Sequence, residues 1–338
     1  MLTERRARIL GLIVDEYVDT AAPVGSETIV RKHRLPISPA TIRNEMARLE
    51  EDGFVTHPHT SAGRVPSDKG YRYYVEALME EEALPWQERE TIRHQFHQAG
   101  AALEEWLHLA AAVLAQAVHN IAVVTTPRAP SSRLRHIELV GLQEFMARLV
   151  LVLQEARILQ RVLTLSESLN QEDLTVTGHR LTDLFEGLDA RHIRAQGAGL
   201  SPFEAQVADA VCEMMALEDE GRHDESVLDG LRHLLSQPEF SRGDRVLELV
   251  DVLEERKLMR VLPLRRLAGE GVTVVIGGEN RTNAMRDCSV IVSRYGVPGF
   301  LSGAVAVVGP TRMRYSRTIP TVRYLSSLMS ELLSASVA

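Results

Sequence analysis

Between Thr3 and Val18 the apolar residues Ile9, Leu10, Ile13, Val14 and Tyr17 recur at the spacing of one helix face, with polar residues between them. Pro23 and Gly25 then break the chain, and Ser26 is placed to cap a short second helix, ETIVRKHR, by accepting backbone N–H groups. After a turn at Leu35 to Ile37, Ser38 and Pro39 predict a third helix over about Pro39 to Asp52. The hydroxyl caps, proline fits the first helical position because its missing N–H has no partner there, and Gly53 ends the helix. Phe54-Val55-Thr56 and Arg64-Val65 are strand-like runs around the polar turn PHTSAG, which predicts a hairpin. Ser67 caps a further helix, DKGYRYYVEALMEEE. Helix, helix, turn, helix, hairpin is the order of a winged helix-turn-helix.

From Ile92 the apolar or alanine positions alternate four and three apart: Ile92, Phe96, Ala99, Leu103, Trp106, Ala110, Val113 and Ala117. This heptad seam suits either packing within its own domain or self-association. Strand-like runs follow at Ile121 to Thr125, Ile137 to Leu142, Arg148 to Leu153 and Ile158 to Leu165, and again at VTVVI, CSVIV and GAVAVVG. Between the two groups the chain reads helical and acidic, with HRLTDLFEGL, EAQVADAVCEMMAL and VLELVDVLEERKLMRVL. Strands, a helical block and strands again predict one α/β sheet domain carrying an insertion, and a last helix spans Val322 to Leu333. The expected fold class is α+β and multidomain. Its expected parts are residues 1–76 for DNA binding, 77–120 as linker helices, 121–168 and 261–338 as two parts of the sheet domain, and 169–260 as the inserted segment.

Composition adds one decisive asymmetry. The 338-residue chain carries a net charge of -8, yet residues 1–75 hold 11 Lys and Arg against 10 Asp and Glu, and within 31–72 the balance is 8 to 5. The N-terminal part is tilted toward polyanions and the remainder is not. Cys212 and Cys288 stand too far apart for a zinc spacing and read as reduced core thiols. No uncharged apolar run is long enough to span a bilayer, and MLTERRARIL meets charge too soon for a signal peptide, so a cytoplasmic address without membrane contact is expected.

On the third helix Ile42, Met46 and Leu49 form the buried stripe. Ala40, Thr41, Asn44, Ala47 and Arg48 lie opposite, with Arg43 on the flank. Small residues there let a helix enter the major groove, Asn44 matches adenine, and Arg43 or Arg48 matches guanine. In HPHTSAGRVPSDKGYRYYV the first carboxylate is Asp68. His59, Thr60, Ser61 and Arg64 are therefore read as phosphate donors of the wing, with backbone N–H groups around Gly63. With Ser38 at the cap and the nearby cations Lys69 and Arg72, the expected DNA-binding set is Ser38, Thr41, Arg43, Asn44, Arg48, His59, Thr60, Ser61, Arg64, Lys69 and Arg72. His57 and His59 are spaced like metal ligands, but nothing nearby completes a set, and no metal or cofactor is expected. Phosphate-loop, nucleophile-elbow and zinc-protease motifs are lacking, and VVIGGEN has too few glycines for a dinucleotide turn, so no enzyme is expected.

The runs PVGSETI, SPATIRNEMARLEEDGFVTHPHTSAGRVPSDKGYRYYV, IGGEN with CSVIVSRYG, and GPTRMRYSRTIPTVRYL resemble the HrcA family of heat-inducible transcription repressors. That resemblance spans both ends of the chain and is loosest over about 165–260. It implies a winged-helix domain and a GAF-like domain with an inserted dimerising segment. It also implies a homodimer on double-stranded inverted-repeat operator DNA of the CIRCE type, upstream of chaperone genes, with modulation by the GroEL chaperonin. Two other readings stand beside it: a winged-helix regulator whose GAF-like domain senses a small metabolite, and a nucleoid-type binder without palindrome preference.

Overall fold

The computed structural model describes residues 2–58, 63–100, 102–128, 131–154, 157–197, 199–221, 226–240, 271–298 and 300–337. The predicted helical run VLELVDVLEERKLMRVL, with the rest of 241–260 of the expected insertion, lies outside the described residues. The described chain is α+β, and it divides into two compact units: Met1–Pro127 with Glu225–Val297 and Ser302–Ala338, and Arg128–Asp224 with Pro298–Leu301.

Local chemistry builds the N-terminal elements largely as the sequence predicts. Helix α1 spans Glu4–Thr20, with Thr3 as its cap and Ala21 ending it in the left-handed region at φ 53. Helix α2, Ser26–His33, takes Gly25 rather than Ser26 as its N-cap and has no side-chain cap bond. Helix α3, Pro39–Glu51, starts where Ser38 Oγ accepts the Thr41 N–H at 3.1 Å. Strands β1, Val55–Thr56, and β2, Val65–Pro66, pair antiparallel, and Val24 extends this hairpin by bonding Arg64 in both directions at 2.8 and 2.9 Å. Ser67 caps α4, Asp68–Tyr73, which continues into a π-helical turn, Tyr74–Leu78.

The heptad seam divides into two helices, α5 at Trp86–Gln98 and α6 at Leu103–Val118, because Gly100 takes φ 72 between them. Ile92, Phe96, Trp106 and Ala110 are buried in the chain's own core, so of the two readings left open the fold uses the seam internally. Strand β3, Ile121–Thr125, follows. Beyond Pro127, strands β4 (Leu134–Gln143), β5 (Met146–Leu153) and β6 (Ile158–Thr164) form a separate antiparallel meander. Here the structure differs from the single sheet expected over 121–168. Few residues separate β4 from β5 and β5 from β6 in the sequence, which makes local pairing cheap in loop entropy and favours a sheet of their own. Helices α7 (Gln171–Phe185), α8 (Ala190–Gln196) and α9 (Pro202–Gly221) supply Leu174, Leu181, Phe185, Ile193, Val211 and Met215 to a core with the inward residues of the meander. The other face of the meander carries the row Val140–Arg148–Val162 and, beside Val152, Ile158, which is 64% exposed.

Strand β7 (Ser226–Asp229), helix α10 (Leu231–Leu235) and strands β8 (Val272–Ile276), β9 (Cys288–Val297) and β10 (Leu301–Pro310) complete a five-stranded sheet of order β7-β3-β10-β9-β8. Its central strands are buried on both faces. Ile121, Val123, Ala306 and Val308 meet one core, and Ala122, Val124, Val305 and Val307 meet the other. The final helix α11, Tyr315–Val337, begins well before the predicted Val322 and runs through Pro320. Proline cannot donate to the Ser316 carbonyl four residues back, and the Glu82 N–H bonds that carbonyl instead at 2.9 Å.

One apolar core joins α1, α4, α5, α6 and α11 to the sheet, with Ile13, Tyr71, Phe96, Leu114, Val305, Tyr315 and Met329 among its members. The Tyr71 and Tyr315 rings lie 6.0 Å apart inside it. Burial holds both phenols well above their ordinary pKa, so both are neutral. Tyr315 donates to the Thr311 carbonyl and meets Ser289 Oγ, each at 2.7 Å, whereas the Tyr71 hydroxyl has no partner among the described residues. The two tyrosines should therefore respond oppositely to loss of the hydroxyl. Tyr315→Phe strands two polar groups and is expected to cost about 1–3 kcal/mol, while Tyr71→Phe is expected to be neutral or stabilising by up to about 1 kcal/mol. Equal destabilisation in thermal melts would show that the Tyr71 hydroxyl is satisfied.

Candidate nucleic-acid interface

Helix α3 buries Ile42, Met46 and Leu49 against α1 and α2 and turns Arg43, Asn44 and Arg48 to solvent, with Ala40 exposed and Thr41 and Ala47 half-buried. Among the described residues, no hydrogen bond or ion pair holds the side chain of Arg43, Asn44 or Arg48. Two neighbouring cations behave differently. Arg6 binds Glu45 at 3.0 Å and Asp52 at 3.4 Å, and Lys32 binds Glu16 at 2.6 Å. Ser38 and Thr41 are committed to the helix start, since their hydroxyls also lie 3.0 Å apart. Their first task is to fix where α3 begins.

His59, Thr60 and Ser61 lie outside the described residues. The hairpin's described ends converge on a residue that the sequence reading missed. Glu50, in the last turn of α3, accepts from Arg64 Nη2 at 2.7 Å and also contacts His57 Nδ1. The stretch from His57 to Arg64 carries no acid of its own, yet one reaches it from the adjacent helix. No spacing rule reveals this clamp, because the carboxylate and its partners belong to different elements. Lys69 is also engaged: its ammonium donates to the Asp52 carbonyl at 2.7 Å and sits 4.5 Å from the Phe54 ring centre.

Arg72, expected among the DNA-binding cations as part of the basic surplus, turns its guanidinium to the five-stranded sheet. There it binds both carboxylate oxygens of Glu279 and donates to the Val274 carbonyl at 2.8 Å. The Glu279 hydrogen bond holds its pKa above the usual arginine value. The exposed face of α3 thus keeps free side-chain donors and acceptors, while Arg6, Lys32, Arg64 and Arg72 are each paired with a carboxylate.

No helix among the described residues is long and apolar enough to cross a membrane, and no group of three or more His, Cys, Asp or Glu there is arranged to hold a metal ion. Burial pushes the Cys288 thiol up to about 12, which leaves it an inert core group.

A family model described as HrcA protein C terminal domain matches residues 104–319. Similar proteins include the heat-inducible transcription repressor HrcA of Chloroflexus aggregans, 45% identical over 98% of this chain and 93% of the relative. That of Dehalococcoides mccartyi is 44% identical over 99% and 96% respectively. A hypothetical protein solved by crystallography at 2.2 Å resolution covers 99% of both chains at 24% identity with a TM-score of 0.61, a likeness of fold.

The Glu50 clamp has an electrostatic consequence that duplex DNA of any sequence can measure. Replacing Glu50 by Gln removes one negative charge and frees Arg64. The log–log salt dependence of binding is then expected to steepen by about one ion, with affinity at low salt rising several-fold. Weaker binding with an unchanged salt slope would show that the clamp acts by shaping the hairpin and not by masking charge.

Proposed function

The chain belongs to the HrcA family of heat-inducible transcription repressors, and from that premise we propose a dimeric repressor that reads an inverted-repeat operator through α3. It is a transcriptional repressor of heat-shock genes and not an enzyme. In this reading residues 1–76 are a winged helix-turn-helix with α3 in the major groove. The observation that carries it is the free polar face of α3, where Arg43, Asn44 and Arg48 stand exposed while Arg6 and Arg64 beside them are paired with Glu45 and Glu50. Asn44 pairs with adenine, Arg48 or Arg43 with guanine O6 and N7, and Ala40 and Ala47 allow close approach to the groove floor. His59, Thr60 and Ser61 of the hairpin donate to phosphates.

The five-stranded sheet with α6 and α11 is the GAF-like part, and the dimerising insertion is the separate unit 128–224 rather than the expected 169–260. An inverted repeat requires a two-fold protein, and one winged helix reads only half of it. The exposed apolar residues Val140, Ile158 and Val162 on the open face of the meander support that surface as the contact between copies. Heat that separates the dimer would expose this face, and an exposed apolar face is what the GroEL chaperonin captures. Chaperonin supply would then set the amount of active repressor, which acts in the cytoplasm.

Selection of bound duplexes from a random pool is the direct test, and a spaced inverted repeat is expected to emerge. On that operator Asn44→Ala and Arg48→Ala should each cost about 1–3 kcal/mol and relax base preference. Val162→Glu should yield monomers that keep half-site affinity and lose the gain from the full repeat. After mild heating, GroEL with ATP should raise the fraction able to bind. A pool without any repeat, or α3 variants that bind as tightly as wild type, would refute the operator reading, and an unchanged bound fraction would remove the chaperonin from it.

A further inference from the structure

The IGGEN turn and the GPTRMRYSR run take no part in the proposed DNA surface, yet both meet the N-terminal helices. After β8 the chain turns through Gly277 and Gly278. The Gly278 N–H donates to Asp68 Oδ2 at 2.8 Å, and a β-carbon on Gly278 would lie only 3.2 Å from that oxygen. Glu279 accepts from the Ile276 N–H at 2.9 Å and grips Arg72 with both oxygens, one of them 2.9 Å from Nε. Arg72 also caps the carbonyl of Val274 on β8, an edge strand of the sheet. Asn280 stiffens the turn by donating to the carbonyls of Gly277, Met285 and Cys288 at 2.8–2.9 Å.

Helix α4, which carries Asp68 and Arg72, is itself joined to the end of α3. Ser67 Oγ donates to the Gly53 carbonyl at 2.6 Å, Lys69 Nζ to the Asp52 carbonyl at 2.7 Å, and the Ser67 N–H to the Phe54 carbonyl at 3.1 Å. A β-carbon at Gly70 would collide with that Phe54 carbonyl, so α4 lies directly on the chain leaving α3. A second attachment sits at the far end of α1, where Arg312 reaches the Val18 carbonyl at 3.3 Å and Arg314 binds Asp19 at 2.8 Å. Two separated attachments resist rotation as well as translation.

We propose that the Gly277–Glu279 turn and the Asp68/Arg72 pair of α4 form a docking seam that positions α3 on the five-stranded sheet and thereby sets the half-site spacing that the repressor accepts. Glu279 and Arg72 are positioning residues that act through α4. The inference rests on the reading of α3 as the groove helix. The separation and angle of the two α3 helices in a dimer then depend on how firmly each α3 is held to its own sheet. Each base pair added between half-sites moves one of them by about 3.4 Å and turns it by about 35°, so a rigid seam should make binding sharply dependent on spacing and a loose one should not.

Three duplexes test this with the full chain: the selected operator, the same operator with its spacer changed by two base pairs, and a single half-site. Wild type is expected to bind the altered spacer at least about tenfold more weakly, a loss typical of one disrupted recognition element. Glu279→Lys should bring the two operators to within about threefold while half-site affinity stays within about twofold. The double variant Arg72→Glu/Glu279→Lys should restore the wild-type ratio, which a merely destabilised protein would not do. An unchanged spacing ratio in Glu279→Lys, a half-site loss in step with the full operator, or failure of the double variant to restore discrimination would each overturn the seam. Absence of half-site binding by wild type would instead bring down the groove reading itself.

Discussion

The contact between Tyr71 and Tyr315 ties α4 to the start of α11, and the architecture of the N-terminal half depends on the core that surrounds it. Burying one large side chain contributes roughly 1.5–3 kcal/mol, and a domain is stable by only about 5–15 kcal/mol in total. A 78-residue stretch of short helices and a two-by-two hairpin has little core of its own to draw on. By sharing Ile13, Tyr71 and Tyr74 with Phe96, Leu114, Tyr315 and Met329, it draws on the sheet's stability as well. The polar layer outside that core, from Asp68 and Arg72 to Asp19 and Arg314, adds direction: apolar contact holds the elements together, and paired charges with fixed geometry define their angle.

Charge is distributed with the same economy. The N-terminal 75 residues are nearly balanced in acid and base, so no broad positive field distinguishes them. The discrimination is finer. Arg6, Lys32, Arg64 and Arg72 are matched by Glu45, Glu16, Glu50 and Glu279, and the side chains left unmatched on α3 point outward together. In the proposed reading these unpaired side chains on α3 are the ones that meet base edges, and the paired cations add less to non-specific phosphate attraction than their number suggests.

Much of this was legible in the sequence, where local rules govern. Ser38-Pro39 and Ser67 announce their helices because capping is decided within four residues, and the exposed face of α3 follows from 100° steps around Ile42. What depends on distant partners was not legible. Arg72 reads as one more cation until Glu279 arrives from 207 residues away. Glu50 is an ordinary helix-end acid until the hairpin folds back upon it. The heptad seam kept its period through Gly100, which bends the chain without breaking the pattern, and the first turns of α11 before Val322 contain Pro320, whose place in a helix depends on the distant Glu82 N–H. Strand propensity marked β3 through β6 and could not say that β3 pairs with β10 while the others pair among themselves, because pairing is settled by loop length and shared faces.

Through the core that they share, α1 to α4 and the five-stranded sheet form one cooperative body. Native-state hydrogen exchange, resolved by segment, addresses it most directly, because it reports the opening free energy of each element in the intact chain. The slowest amides of α1 and α3, near Ile13 and Met46, should open within about 1 kcal/mol of those in β3 and β10, near Val123 and Ala306. Exchange of α1 and α3 at openings several kcal/mol cheaper, with β3 and β10 still protected, would show that the N-terminal helices come and go independently of the sheet and would contradict that cooperativity.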